Sequence, residues 1–220
     1  MIVEERLLTY INSLDSGNTS FLDELEKEAL ENYVPIIRKD MQSFLKVMLS
    51  IKQPGRVLEV GTAVGFSTLL LSEYGPADMH ITTIENYEKR IPIAKANFEK
   101  AGKTEQITLL EGDAAELLKT LDEPFDFIFM DAAKGQYLAF LPDCVRLLKE
   151  GGILITDNVL QDGEIMESRF AVTRRNRTIH TRMREYLYAV KHHPLLESSI
   201  LPVGDGITLS VKRNGKSDEL

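Results

Sequence analysis

The chain of 220 residues has a single cysteine, Cys144, and no tryptophan. One cysteine excludes an internal disulfide, and a reducing cytoplasm is the expected compartment. Long apolar runs are also missing. Stretches such as 68–71 and 127–130 are far too short to cross a bilayer, so no membrane partner is expected. The opening Met1-Ile2-Val3-Glu4-Glu5-Arg6 has early acids and no apolar segment, so no secretory signal is expected. Ser217-Asp218-Glu219-Leu220 loosely echoes a retention signal, but with no secretory signal upstream it reads as a solvated tail. Positive charge is in deficit: 26 Lys and Arg stand against 34 Asp and Glu, a net charge of −8. A globally acidic chain does not coat nucleic acid non-specifically. Low-complexity segments and internal repeats are absent.

What is present is the material for one folded domain. Hydrophobic residues make up 43% of the chain and charged residues 27%, enough core and too little charge for a disordered state. Residues 1–54 read as a helical cap belonging to that domain, with helical spacing of apolar residues over 21–33 and 41–51. Pro54-Gly55 closes it. Residues 55–213 then alternate. Strands are expected at 56–60, 80–85, 106–110, 125–131 and 152–156, with helices from about 66 and over 90–101, 114–120 and 137–148. Such alternation implies βαβ units and a parallel sheet. Most of these strands are apolar on both faces, as a sheet covered by helices on both sides requires. After Asp157 the alternation breaks. A helix at 178–191 is followed by strands at 197–203 and 207–212, and Gly204-Asp205-Gly206 between them is a hairpin signal. The expected fold is α/β: a doubly wound, Rossmann-like domain with a seven-stranded, mostly parallel sheet and an antiparallel C-terminal hairpin. Residues 214–220 are left as a tail.

The carboxyl ends of the strands carry the chemistry, and in open α/β sheets ligands bind at that edge. Glu59-Val60-Gly61-Thr62-Ala63-Val64-Gly65-Phe66-Ser67 places two glycines between a strand and a helix. This is neither the three-glycine dinucleotide fingerprint nor a phosphate-binding P-loop. A tight strand-to-helix turn explains it alone. However, Glu59 just before the turn suits a cationic ligand group better than a pyrophosphate. Glu85 ends the second strand, where an acid can accept hydrogen bonds from ribose hydroxyls. Gly112-Asp113-Ala114 follows the third, where an adenine ring and its amine could lie. Each acid alone is a common surface residue or helix cap. Three at successive strand ends fit a nucleoside with a charged amino-acid tail and no pyrophosphate, namely S-adenosylmethionine.

Two further strands end in oxygen ligands. Residues 127–130 run into Asp131, and 153–156 run into Asp157 and Asn158. If those strands are neighbours, two carboxylates and one amide converge, a set suited to a hard octahedral cation such as Mg²⁺. Zinc is disfavoured because no Cys or His joins the group. His192-His193 beside Pro194 reads as a loop pair. A turn starter is the bland reading of Asp157-Asn158. Lys134, soon after Asp131, is by itself an ordinary surface cation. Beside a divalent ion its ammonium would be repelled and a proton-accepting form made accessible.

These motifs resemble the cation-dependent O-methyltransferases of the catechol and caffeoyl-CoA type. The resemblance runs from about residue 34 to 212. It rests on the 58–67 glycine turn, Asp131-Ala132-Ala133-Lys134-Gly135-Gln136-Tyr137, Asp157-Asn158-Val159-Leu160 and Leu201-Pro202-Val203-Gly204-Asp205-Gly206. It implies metal ligation by Asp131, Asp157 and Asn158, with Lys134 as catalytic base. It also implies cofactor contacts from Glu59, Gly61, Ser67, Glu85, Ala114 and Asp131, with Met41 near the methyl-transfer site, and a homodimer. Within that family the chain looks most like bacterial tRNA 5-hydroxyuridine methyltransferases. The suggestive feature is an acid-free stretch holding Arg169, Arg174, Arg175, Arg177, Arg182 and Arg184. Small-molecule members would carry a less basic segment there, often with a Trp near 161–163, whereas here Gln161-Asp162-Gly163 stands. The arginines are expected to grip phosphates so that a flipped anticodon base reaches the pocket. The competing reading is a solvated helix face pairing with the chain's own acids. A small catechol or CoA-linked acceptor remains open, since catechol and 5-hydroxyuracil both present two adjacent oxygens. So does an idle S-adenosylmethionine- or RNA-binding module, though a binder needs neither the metal trio nor Lys134.

Overall fold

A computed structural model describes residues 3–214. The first two residues of the opening segment, and 215–220 of the expected tail, lie outside it. The chain begins with three helices, α1 (Glu5–Ser13), α2 (Ser20–Glu31) and α3 (Lys39–Lys52). The alternation then follows as β1 (Arg56–Val60), α4 (Phe66–Tyr74), β2 (His80–Glu85), α5 (Ile91–Lys100), β3 (Ile107–Glu111), α6 (Ala114–Thr120), β4 (Phe125–Met130), α7 (Tyr137–Leu147) and β5 (Leu148–Thr156). It closes with α8 (Arg177–Lys191), β6 (Leu196–Leu201) and β7 (Ile207–Lys212). Among the described residues no helix is long and apolar enough to cross a membrane.

Seven strands form one sheet in the order β3-β2-β1-β4-β5-β7-β6. β1 to β5 pair in parallel, and β7 lies antiparallel between β5 and β6. The hairpin at 204–206 therefore does more than turn the chain: β7 inserts beside β5, and the turn comes to lie over the carboxyl ends of β4 and β5. β6 ends at Leu201, short of the expected 203, because Pro202 lacks the N–H that a ladder needs. β5 starts at Leu148, before the expected 152.

Side chains that alternate along each strand divide the core between the two faces of the sheet. Val57, Phe127, Phe129 and Ile155 pack under α2, α3, α4 and α5 with Leu22, Leu25, Met41, Leu45, Leu49 and Leu70. Leu58, Val60, Ile128, Met130 and Leu154 pack under α6, α7 and α8 with Tyr137, Phe140, Met183 and Tyr186. Leu22, Leu45 and Leu49 are thus part of the sheet's own core, which is why the helical cap is continuous with the domain.

At the end of β1 the backbone passes close to the next strand. Gly61 has φ of 106°, and a Cβ there would collide with the carbonyl oxygen of Asp131. Its missing side chain makes room for the segment that carries Asp131, and the same glycine, a cofactor contact by the resemblance, lines the cavity described below. Gly61→Ala is expected to cost about 2–4 kcal/mol, from backbone strain and the displaced carbonyl. Urea unfolding checks this, and a midpoint equal to the parent's would contradict it.

Candidate active site

Strand register brings the two aspartates together. Met130 on β4 pairs with Thr156 on β5. Asp131 N–H donates to Val60 O at 2.9 Å and Asp157 N–H to Met130 O at 2.9 Å, so both residues extend the ladder by one step. Asn158 then turns with φ of 61°, a left-handed conformation that Asn tolerates better than most side chains. That turn lets its Nδ2 donate to Asp131 Oδ1 at 2.9 Å, while its backbone N–H donates to Asp157 Oδ1 at 2.6 Å. The trio expected from the sequence is assembled. Among the described residues no group of three His, Cys, Asp or Glu forms a metal cluster; this set is two carboxylates and an amide.

Burial pushes the Asp157 carboxyl up to about 8, and the neighbouring Asp131 charge adds to the rise. Asp131 is raised too, first by burial, with Asn158 and Lys134 opposing. Two buried carboxylates that resist ionising side by side are a donor set that a hard divalent cation would compensate. Asp131, Asp157 and Asn158 fit such an ion.

Lys134 sits on a short 3₁₀ turn, Lys134–Gln136, between β4 and α7. Its Nζ lies 3.3 Å from Asp205 Oδ2. Asp205 belongs to the β6–β7 turn and is 5% exposed. The sequence reading gave this residue no part in the site. Its signals in the sequence are a hairpin turn between two glycines and a place in the 201–206 motif of the resemblance, neither of which gives the side chain a role.

These residues share a cavity of about 740 Å³ with the nucleoside-side candidates Gly61, Ser67, Glu85, Gly112, Asp113 and Ala114. Glu85 is held rigidly: Oε2 accepts from Ala63 N–H at 2.7 Å, and Oε1 from Asn86 and Tyr87 N–H at 3.0 and 2.9 Å. Asp113 caps α6, accepting from Ala115 N–H at 2.7 Å, and also faces the cavity.

Two expected cofactor contacts, Glu59 and Met41, are not themselves on the cavity wall. Glu59 is fully buried inside β1, below the turn rather than at its tip. It accepts hydrogen bonds from Ser67 and Thr83 at 2.6 Å each, and from Thr68. It anchors the first turn of α4 from beneath and is absent from the cavity wall. Burial raises its carboxyl to about 7, although the three hydroxyls oppose the rise. Met41 is a core residue of α3 and does not itself line the cavity, but it lies directly behind Gly204, which does, and which also borders Asp157.

The arginines separate into two groups. Arg177 donates to Val172 O and Phe170 O, Arg182 to Gly135 O at 3.1 Å, and Arg184 to Ile165 O at 3.1 Å. These three tie the segment to the domain through backbone carbonyls. Arg169, Arg174 and Arg175 are exposed and make no hydrogen bond or ion pair among the described residues. Among the described residues none of the six pairs with an acid. Asn176 and Ile179, just beyond the free arginines, border a hollow that also includes Lys134 and Asp205.

A family model described as O-methyltransferase matches residues 12–213. The chain belongs to the O-methyltransferase family. Caffeoyl-CoA O-methyltransferase 1 of Eucalyptus globulus is 34% identical over 180 residues, which is 77% of this chain and 72% of that protein. The catechol O-methyltransferase of Niastella koreensis is 33% identical over 128 residues, 56% of this chain and 58% of that protein, so this match spans little more than half the relative. The SAH-bound methyltransferase of Podospora anserina has the same fold, with a TM-score of 0.87 at 25% identity, covering 96% of this chain and 95% of that one.

The buried carboxylates of this family member set a pH dependence. A carboxyl raised in the folded state keeps a proton that the unfolded chain has released. Its stabilising effect is therefore complete below the ordinary carboxylate value and is lost as pH rises toward the folded value. For Asp157 that window runs from 3.8 to about 8, and for Glu59 from 4.5 to about 7. With chelator present, Tm is expected to fall between pH 6 and pH 8. Added Mg²⁺ should raise Tm more at pH 8 than at pH 6, because binding displaces a proton. Asp157→Asn should abolish the Mg²⁺ response. Scanning calorimetry checks all three, and an equal Mg²⁺ response in Asp157→Asn would count against the site.

Proposed function

We propose that the chain is an S-adenosylmethionine-dependent O-methyltransferase that uses a hard divalent cation, Mg²⁺, and an acceptor with two adjacent oxygens. The observation that carries this is one cavity holding Asp131, Asp157, Asn158 and Lys134 on one side and Glu85 and Asp113 on the other. Bound S-adenosylmethionine supplies an electrophilic methyl group, and a bound cation supplies a field that favours the ionised form of a nearby hydroxyl. The chain's own residues do the rest. Asp131, Asp157 and Asn158 would hold the cation. Glu85, fixed by three backbone N–H groups, offers its remaining lone pairs to ribose hydroxyls, and Asp113 offers an oxygen to the adenine amine. Pro35, Ile36 and Ile37, between α2 and α3, wall the cavity and exclude water. Lys134 Nζ, in the same cavity, would take the acceptor proton, leaving the acceptor oxygen to attack the methyl carbon.

The acceptor we read as 5-hydroxyuridine at the wobble position of a tRNA, giving 5-methoxyuridine. Arg169, Arg174 and Arg175 support this. Their guanidinium groups, exposed and without a partner among the described residues, suit phosphate, which they can grip with paired hydrogen bonds, and Asn176, next to Arg175, borders the Lys134 hollow. A second reading, a small catechol or CoA-linked acceptor, is favoured by the names of the relatives. The site chemistry is the same, so only the rim discriminates.

Asp131→Ala is expected to abolish methyl transfer to either acceptor while the protein still folds; retained turnover would remove the cation from the reading. Arg174→Glu with Arg175→Glu should depress methylation of tRNA tenfold or more and leave catechol methylation unchanged. Equal loss on both would favour the small-molecule reading. In a deletion strain, mass spectrometry of tRNA nucleosides should find 5-hydroxyuridine left unmethylated, and a normal 5-methoxyuridine level would exclude the tRNA acceptor.

A further inference from the structure

The turn 204–206 is pressed onto the loop that follows the Asp157-Asn158 pair. Val159 N–H donates to Gly206 O at 2.8 Å and Leu160 N–H to Asp205 O at 3.0 Å. From the other side, Gly204 N–H donates to Asp40 Oδ2 of α3 at 2.7 Å. Gly206 has φ of 80°, and the space of its missing Cβ is filled by the Leu160 side chain. The loop itself is strained: Gln161 and Asp162 are consecutive non-glycine residues in the left-handed region, with φ of 51° and 52°. Each such residue costs on the order of 1 kcal/mol, so the conformation persists only where its surroundings hold it.

Asp205 is the group that does the holding. Its Oδ1 accepts from the Asp162 backbone N–H, inside the strained turn. Its Oδ2 faces Lys134 Nζ at 3.3 Å. One buried carboxylate thus bridges the strained loop and the amine. Lys134 needs such a partner. Its side chain is 34% exposed on a flexible stem, and a lysine head left to itself moves into solvent. Asp205 cannot follow it outward, because its backbone carbonyl and one carboxylate oxygen are already engaged.

We propose that Asp205 is a positioning residue that fixes Lys134 Nζ at the cavity wall and sets its place relative to the Asp157-Asn158 loop. This rests on the reading of Lys134 as the base, and it adds the group that keeps the base in place. The two oxygens have separable duties, which makes the idea testable. In Asp205→Asn an amide oxygen still accepts from Asp162 N–H, while the group facing Nζ becomes a donor. The loop is kept and the lysine is released.

The test compares Asp205→Asn, Asp205→Ala and Lys134→Met with the parent, using tRNA carrying 5-hydroxyuridine and catechol as acceptors. A second readout does not need turnover: acylation of Lys134 by an N-hydroxysuccinimide ester, followed by peptide mass spectrometry. For Asp205→Asn, Tm and the KM for S-adenosylmethionine should match the parent, kcat should fall about 10- to 100-fold, and Lys134 should be acylated several times faster. Asp205→Ala should lose Tm as well, because the strained turn loses its acceptor. An Asn variant with parental acylation of Lys134 would overturn the proposal, whatever its turnover. So would parental kcat in that variant when Lys134→Met is inactive. If Lys134→Met itself turns over at the parental rate, the failure belongs to the base assignment.

Discussion

Everything at this site depends on two carboxylates held side by side where solvent cannot relieve them. Asp131 and Asp157 stand one residue beyond paired positions on β4 and β5; burial makes both harder to ionise, and the Asp131 charge adds to the effect on Asp157. A fold does not gather such a pair for stability, since burying two like charges opposes folding. The arrangement makes sense as a place that waits for positive charge. The neighbouring features follow from it: Asn158 in its left-handed turn, Lys134 on the next loop, and a cavity that runs from the pair toward Glu85 and Asp113.

The antiparallel insertion of β7 beside β5 matters to the chemistry more than to the sheet. It carries the 204–206 turn across the strand ends, so Asp205 reaches the loops after both β4 and β5. Arg182 reinforces the same region from α8, holding the carbonyl of Gly135 beside Lys134. The arginine segment is therefore joined mechanically to the turn that bears the amine.

Much of this could be read from residue order. An apolar strand that ends in an acid is a local pattern, and two of them, at 127–131 and 153–157, announced the carboxylate pair. The helix–strand alternation announced a parallel sheet, hence a ligand at its carboxyl edge. Residue order did not show that Glu59 and Met41 stand behind the cavity wall, because proximity in the chain does not say which way a side chain points. Glu59 is perpendicular to the sheet, beneath α4, where three hydroxyls receive it. The arginine stretch showed its charge but not its division, since backbone carbonyls far along the chain decide which guanidinium groups are occupied.

The sequence by itself determined the elements, the α/β class and the identity of the oxygen donors, because apolar periodicity and strand-end acids are encoded within a few residues of one another. Only the tertiary structure decided which side chains share the cavity, which arginines remain unpaired, and that Asp205 stands against Lys134. Those outcomes are set by strand order and loop packing between residues distant in the chain, and no local pattern of residue types carries that information.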